Sequence, residues 1–310
     1  MSKIKTAYGL WKEDPRQFKV RLLQKLARKK ISHLIPDKTF LKLLYRANYG
    51  KKLNLKRPRT FNEKLQWLKL YARDPRYSRM VDKYEVKELM KEQMGPEYVI
   101  PTYGVWEHFD DIDFDSLPDQ FVLKCTHDSG SVVICRDKAN FDREAARAKI
   151  EPKLKNHIFW NYREWPYKNV PPRILAEAYM EDAGSEELID YKFYCFNGVP
   201  KFLYVSQGLS HKETATISFL TLDWQFAPYE RCDYRPLTEL PKKPQNFDKM
   251  VEFAEKLSAG IDFLRVDLYE INGKLYFSEL TFSPCAGFMP FRNPQHDLEV
   301  GRMLKLPEEK

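Results

Sequence analysis

The sequence predicts an α+β protein. Three observations carry this expectation: a helical N-terminal quarter, short strands with interspersed helices from about residue 98 onward without regular βα alternation, and a strand hairpin near residue 272 that carries acids on both strands. At 310 residues and 43% hydrophobic, the chain can bury one large core or two smaller ones, and 14% aromatic with 31% charged residues is ordinary for a soluble enzyme. The five cysteines, Cys125, Cys135, Cys195, Cys232 and Cys285, show no paired spacing, which argues against a disulfide framework or a zinc site. The polar opening and the lack of an apolar run of about 18 residues predict neither a signal peptide nor a membrane span, so the cytoplasm is the expected compartment.

Charge is unevenly spread. Residues 1–74 hold 21 Lys/Arg against 5 Asp/Glu, a local +16 in a chain of net +8, so the remainder carries −8. Within this basic end, residues 16–48 read as helical. Over 16–35, Phe18, Leu22 and Leu26, and less perfectly Leu23 and Ile31, share one side among lysines and arginines. That pattern suits an anionic membrane surface or an acidic polymer; the alternative is a helix whose apolar stripe packs on the body while its charges are solvated. A nucleic-acid binder is disfavoured, because the charge is confined to one end and no recognised nucleic-acid motif is present.

Residues 56–60 (KRPRT) read as a loop, and Thr60-Phe-Asn-Glu63 is a capping-box helix start. A second helix is expected over roughly 79–94, ending at Gly95-Pro96. Strands are expected at 98–106, 120–126, 131–136, 173–180, 190–198, 201–207 and 216–223, then a helix at 246–258 and the hairpin strands 261–271 and 274–281.

The hairpin is the most informative feature. Residues paired across a hairpin have a constant number sum and share a face, so Asp267 and Glu279 share one only if that sum is even. A two-residue Asn272-Gly273 loop would split them. A three-residue loop, Ile271 to Gly273 with Gly273 left-handed, sets Arg265 opposite Glu279. One face then carries Arg265, Asp267, Glu279 and Thr281, and the other Leu264, Val266, Leu268, Tyr276 and Leu280. Oxygen ligands completed by water suit Mg2+ or Mn2+, and an arginine beside two acids suits bound phosphate. The bland alternative is a solvated strand face with a surface salt bridge.

Gln120 to Arg136 reads as strand, polar turn, strand. Lys124 precedes the turn Thr126-His-Asp-Ser-Gly-Ser131, in which Ser129, Gly130 and Ser131 let backbone N–H groups approach an anion. It is not a P-loop, since no helix follows. His127 is expected as a hydrogen-bonding partner in this loop. Asp82-Lys83-Tyr84 precedes a helix and can bring a second ammonium to the same pocket, or form an exposed charge pair. Residues 173–182 read as a buried strand running into an acidic stretch, suited to reading a purine edge.

Together these blocks resemble the ATP-grasp superfamily, and more narrowly its TupA-like amidoligase branch, associated with teichuronopeptide and other surface-polysaccharide synthesis. Asp82-Lys83, FVLKCTHDSGSVVI (121–134), ILAEAYME (174–181), Asp190-Tyr-Lys192, and RVD with ELTFSPCAG (265–267 and 279–287) are similar to that superfamily's ordered blocks; GKKLNLKRPRTFNEKLQWLKLY (50–71) carries the narrower match. The resemblance implies an ATP-grasp fold, with the nucleotide between two antiparallel β-rich subdomains and a basic helical extension. The implied division is a basic region 1–75, a linker 76–118, a small subdomain 119–185 with the phosphate loop, and a large subdomain 186–310 with the metal site. It implies ATP-dependent joining of a carboxylate to an amine through an acylphosphate.

On this resemblance Lys83, Lys124 and the loop residues His127, Ser129, Gly130 and Ser131 bind the phosphates. Glu177, Ala178, Tyr179 and Met180 hold adenine, and Asp190 holds ribose. Arg265 and Lys192 are the catalytic candidates, and Asp267, Glu279 and Thr281 hold Mg2+ or Mn2+. Many ATP-grasp ligases carry Asn where Thr281 stands; a hydroxyl is still a neutral oxygen donor. The implied partners are ATP, a carboxylate-bearing glycan precursor, an amine, and the anionic inner leaflet for the basic helix. The competing classes are a glycosyltransferase of the same pathway and a non-catalytic glycan- or membrane-binding scaffold.

Overall fold

The computed structural model describes residues 14–27, 29–183, 187–208, 213 and 215–307, with the side chains of Lys30 and Ile31 outside this set. The polar opening segment 1–13 and the division expected at 185 also lie outside the described residues. The single helix expected over 16–48 is two, α1 (Pro15–Ala27) and α2 (Asp37–Tyr49), separated by a 3-10 turn at Lys30–Leu34. Pro36 cannot continue a preceding helix, and Ser32 Oγ donates to the Ala27 carbonyl at 2.9 Å, drawing off an acceptor at the helix end.

The stripe that packs is not the expected one. Val20, Leu23 and Ala27 face Phe40 and Leu44 of α2. At about 100° per residue, Phe18, Leu22 and Leu26 lie on nearly the opposite side. Leu22 and Leu26 are 46% and 40% exposed, and Leu34 in the following turn is 83% exposed.

The capping box forms as read: Thr60 Oγ1 accepts from Glu63 N at 3.2 Å and Glu63 Oε2 accepts from Thr60 N at 3.3 Å, opening α3 (Phe61–Tyr71). The helix expected over 79–94 is also broken, into α4 (Arg76–Val81) and α5 (Glu85–Gln93). Asp82 makes the break. Its Oδ1 accepts from Tyr84 N at 2.9 Å to start α5, while its Oδ2 receives Arg173 at 2.7 Å.

Two antiparallel sheets follow. The first has the order β1 (Thr102–Trp106), β4 (Ile174–Ala178), β2 (Phe121–Cys125), β3 (Val132–Cys135). Strand β1, which falls in the 76–118 segment of the expected division, is hydrogen-bonded to β4 of this sheet. Period-two alternation sends Phe121, Leu123, Cys125, Ile174 and Ala176 into a core with Ala146 and Ile150 of α6 (Arg143–Leu154), a helix that the sequence reading did not assign. The opposite face carries Val122, Lys124, Ile134 and Glu177.

The second sheet has the order β7 (Thr216–Thr221), β6 (Val199–Gln207), β5 (Asp190–Phe196), β8 (Phe263–Ile271), β9 (Lys274–Thr281). One face, with Phe193, Leu203, Val205, Val266 and Leu268, is covered by α5 and by the helix Phe247–Ser258. Toward one end, the other face is aromatic under α3, with Tyr194, Phe196, Phe202 and Phe263. Further along the same strands, same-face positions become Lys192, Arg265 and Asp267. The polar stretch begins where helical cover gives way to the first sheet, and the cleft lies there.

Between α6 and β4 the chain forms a strap: a helical turn α7 (Phe159–Tyr162) and a 3-10 turn Trp165–Asn169. Arg163 anchors it. This fully buried guanidinium meets Asp37 Oδ1 at 3.0 Å through Nε, donates to the Ser32 carbonyl at 3.2 Å and lies 4.2 Å from the centre of the Phe40 ring. The N-terminal helices and the strap are therefore one packed unit.

Candidate active site

The hairpin brings its acids together by a route other than the expected one. Arg265 pairs with Thr281 and Asp267 directly with Glu279, then the register shifts so that Leu268 pairs with Phe277 and Ile271 with Lys274. The loop is the two-residue Asn272-Gly273 turn, with both residues at positive φ (50° and 73°), as a type I′ turn requires. A bulge at Ser278 restores the parity that this turn would have broken. As a corollary Tyr276 leaves the core face assigned to it, and Leu275 and Phe277 are buried in its place. The turn also latches the segment joining the sheets: Asn272 Nδ2 donates to the Glu181 carbonyl at 2.9 Å and Asn272 N to Asp182 Oδ1 at 3.1 Å.

Asp267 is wholly buried. Arg265 grips it with Nε to Oδ1 at 2.7 Å and Nη2 to Oδ2 at 2.6 Å, and Lys192 adds a contact to Oδ2 at 2.8 Å. Although burial works to raise the Asp267 carboxyl, these two cations hold it below the ordinary carboxylate range. Arg265 Nη2 also donates to Thr281 Oγ1 at 2.9 Å. Glu279 is held more loosely, 3.6 Å from Arg265 and 3.7 Å from Lys83, and its side chain is about one-third exposed.

Three lysines face these acids. Lys83 is fixed at the start of α5, where its N donates to the Thr126 carbonyl at 3.0 Å and its ammonium to the Asp128 carbonyl, so it sits against the 126–131 loop. Lys124 and Lys87 both grip Glu177, the latter at 2.6 Å, and Lys87 also donates to the Ile100 carbonyl at 2.8 Å. Against its burial, the Glu177 carboxyl is held down at about 2 by these two ammonium groups. Glu177 therefore lies in the floor of the cleft as a counter-ion to two lysines. Lys87, in the first turn of α5, escaped the sequence reading; its one signal is a position four residues after Lys83.

The 126–131 loop divides its residues. Ser129 and Gly130 line the cleft, with Gly130 at φ 86° and no atom within 4 Å of where a Cβ would stand. Ser131 is turned inward, accepting from Cys125 N at 2.9 Å and donating to Asp128. His127 does not face the cleft. It is buried with Nε2 at 3.2 Å from the Lys153 carbonyl, and burial lowers its proton affinity. Asp190 is engaged by Lys192, with Oδ1 at 3.0 Å from Nζ. Glu181 and Asp182, the acidic stretch read after the 173–180 strand, line the wide end together with Glu187, which was not singled out from the sequence. Ala178, Tyr179 and Met180 line that end with Ile100, Ile134 and Tyr269, apolar surfaces suited to a flat base. Arg136 donates to the Tyr179 hydroxyl at 2.9 Å.

An ammonium-lined, Gly-floored cleft suits a polyphosphate, but a polyphosphate there meets Glu279 and Asp267 on the same face. Like charges at such separation repel unless a divalent cation lies between them. Among the described residues no three His, Cys, Asp or Glu side chains form a ready-made metal cluster. The donor set is two carboxylates and the Thr281 hydroxyl, with Glu279 the accessible member. Such a set fits a cation that shares its shell with phosphate oxygens and water.

Two antiparallel sheets clasping a lysine-lined cleft, with an acid pair on the hairpin of the second sheet, form the ATP-grasp fold. The chain belongs to the TupA-like ATP-grasp family, whose profile matches residues 63–305. No curated protein matches it. Similar solved structures include the D-alanine–D-alanine ligase of Bacillus anthracis complexed with ATP, 13% identical over 66% of this chain and 55% of that one, with a TM-score of 0.38. The Helicobacter pylori D-alanine–D-alanine ligase is 14% identical over 80% and 70%, at a TM-score of 0.40. The ATP-grasp ligase PsnB, complexed with a phosphomimetic variant of minimal precursor, Mg and ADP, is 11% identical over 82% and 64%, at a TM-score of 0.40. The chain thus spans about 55% of the length of the first of these ligases.

Proposed function

We propose that this chain is an ATP-dependent carboxylate–amine ligase that works through an acylphosphate. The carboxylate is a uronic acid of a surface-polysaccharide precursor and the amine an amino acid or amino sugar. The observation that carries the ligase reading is the convergence of Lys83, Lys87 and Lys124 from one side of the cleft with Arg265, Asp267 and Glu279 from the other. Phosphoryl transfer needs positioning and charge neutralisation more than covalent help, and these are the parts it requires. The resemblance of residues 50–71 to the TupA-like branch, associated with surface-polysaccharide synthesis, motivates the choice of substrate.

Lys83 and Lys124 hold the phosphates and the Gly130 backbone closes over them. Arg265 stabilises the charge on the phosphoryl group as the substrate carboxylate takes it, and Lys192 keeps Asp267 ionised behind it. Glu279, with Thr281 and Asp267, would hold Mg2+ or Mn2+, which would supply neutralisation of the phosphate charge. Incubating the protein with labelled ATP, Mg2+, a panel of uronic-acid glycans and a panel of amines is expected to release ADP and phosphate only when both acceptors are present. Release of nucleoside diphosphate from a sugar nucleotide, with ATP intact, would instead identify a glycosyltransferase.

The basic N-terminal helix holds the enzyme at an anionic inner leaflet. Its free stripe, Phe18, Leu22 and Leu26, is flanked by the exposed Lys19, Lys25 and Lys29, the arrangement of an interfacial helix. No helix among the described residues is long and apolar enough to cross a membrane. Leu22→Ser with Leu26→Ser leaves the packed stripe intact and is expected to weaken sedimentation with phosphatidylserine vesicles at least about tenfold, since each leucine loses roughly 1.5–3 kcal/mol of burial. Equal sedimentation of the variant and the parent would remove the idea.

A further inference from the structure

Acceptors must reach the acid pair from the side that the nucleotide leaves open. Across the second sheet Glu279, Asp267, Lys192 and Tyr204 are paired in one row. The nucleotide cleft takes in Glu279 and Lys192, and Tyr204, on β6, stands at the other end of the row. An in-line transfer puts the acceptor opposite the departing ADP, so the acceptors lie toward Tyr204. Two guanidiniums share the Tyr204 ring, Arg265 at 5.8 Å from its centre and Arg231 at 6.0 Å.

Arg231 is firmly held. It forms a β-bridge with Phe291, Cys232 N donates to the Pro290 carbonyl at 2.9 Å, and Arg292 N donates to the Glu230 carbonyl at 2.8 Å. Its Nε and Nη2 close on both oxygens of Asp233 at 2.9 and 2.7 Å, and the centre of the Tyr234 ring lies 4.9 Å away. The Asp233 side chain is 39% exposed, whereas that of Arg231 is only 8% exposed. A pair with one partner largely in water contributes little stability, so it does not account for burying the guanidinium. Nη1 donates to no oxygen among the described residues. Tyr194, paired across strands with Arg265 and 5.9 Å from Tyr204 ring to ring, adds a buried hydroxyl with no hydrogen-bond partner among the described residues. Burial keeps this phenol protonated, so it is a donor. Two uncommitted donors around one tyrosine ring call for a ligand with acceptor oxygens.

Resting on the ligase reading, we propose that Arg231 receives the carboxylate of the amine substrate, which makes that substrate an α-amino acid rather than an amino sugar. An amino sugar brings no anion to this guanidinium, and a buried cation that meets an uncharged ligand loses its water without a replacement. In an α-amino acid a single carbon separates the nitrogen from the carboxylate. With the carboxylate on Arg231, the nitrogen is directed across Tyr204 toward the acylphosphate at Arg265. Asp233 fixes the plane of the Arg231 fork, and the fork orients the carboxylate on its remaining edge. Arg231 therefore binds and selects the amine, and takes no part in phosphoryl transfer.

The test compares α-amino acids with their decarboxylated amines and with glucosamine, in the presence of ATP, Mg2+ and the uronic-acid panel. The unaltered protein is expected to favour an α-amino acid over its decarboxylated amine by about 100-fold in kcat/KM. Arg231→Gln is expected to remove that preference by raising KM for the amino acid, with KM for the glycan unchanged, and Arg231→Lys to recover part of it. Hydroxylamine, a nucleophile with no carboxylate, traps the acylphosphate as a hydroxamate, and both variants are expected to form it at the parent rate. Should Arg231→Gln fail to fold, Arg231→Lys and the preference of the unaltered protein still decide. Glucosamine joined as fast as any α-amino acid, or an unchanged preference in Arg231→Gln, overturns the assignment while leaving the ligase intact. So does a rise in KM for the glycan alone, which would give the guanidinium to a second uronate. No hydroxamate from the unaltered protein overturns the ligase reading, and the assignment with it.

Discussion

Arg265→Lys is expected to lower phosphoryl transfer by about 10³-fold or more, with ATP affinity changed only a few-fold. The guanidinium does two things at once. Its planar fork meets both oxygens of Asp267 at 2.7 and 2.6 Å, and it lies 3.6 Å from Glu279 at the mouth of the acid pair. A lysine keeps the charge but cannot make the bidentate contact, so the ammonium would settle on one oxygen of Asp267 and withdraw from the transferring group. Arginines placed on transferring phosphoryl groups are worth roughly 10³–10⁵ in rate, which sets the scale. Single-turnover consumption of ATP, with nucleotide affinity measured separately, checks this. A loss shared equally between affinity and rate would show that Arg265 only holds the nucleotide.

Glu177→Gln is expected to cost roughly 3–5 kcal/mol of stability, the usual scale for removing one partner from a buried ion pair. Glu177 is 5% exposed and Lys87 7%, so deleting the carboxylate leaves a buried ammonium facing a second one on Lys124. The pH dependence gives a further check. In the unaltered protein the Glu177 carboxyl is held down at about 2, so its stabilisation is full above the ordinary carboxylate range and disappears as pH falls toward 2. The variant loses that acid dependence. Burial already lowers the proton affinity of Lys87, and without Glu177 nothing opposes it. The folded variant would bind fewer protons than the unfolded chain at alkaline pH, so its stability should rise as pH approaches 10. Denaturant melts at pH 4, 7 and 9.5 read both effects; parallel curves for the two proteins would contradict the buried-triad account.

The hairpin shows how far pattern reading reaches. The requirement that Asp267 and Glu279 share a face came from chemistry, and parity then demanded one extra residue somewhere between them. Local sequence pointed to the loop, whereas the chain places the extra residue at Ser278 and keeps the tight Asn272-Gly273 turn. A bulge leaves little trace in composition, because it depends on what the strand packs against: here Leu280 reaches the same core face as Leu275 and Phe277 only with the shift. The N-terminal helix repeats the lesson. It carries two apolar stripes, and only the position of α2 decides that Val20, Leu23 and Ala27 are the ones buried.

The chain alone determined the order of the strands, the capped start of α3, the alternation that puts Lys124 on one face of its strand, and the presence of an acid pair with an arginine. Each follows from neighbours within about one turn or one hairpin, where covalent geometry fixes direction. Tertiary structure decided which charges meet. Glu177 became a counter-ion because Lys87 arrives from α5 and Lys124 from β2. His127 and Ser131 turned inward because the 126–131 loop ties itself to the 153 carbonyl and to Cys125. The strap took its place because Arg163 is buried against helices more than a hundred residues earlier. Electrostatic partnership acts through space and depends on burial, and a one-dimensional pattern specifies neither.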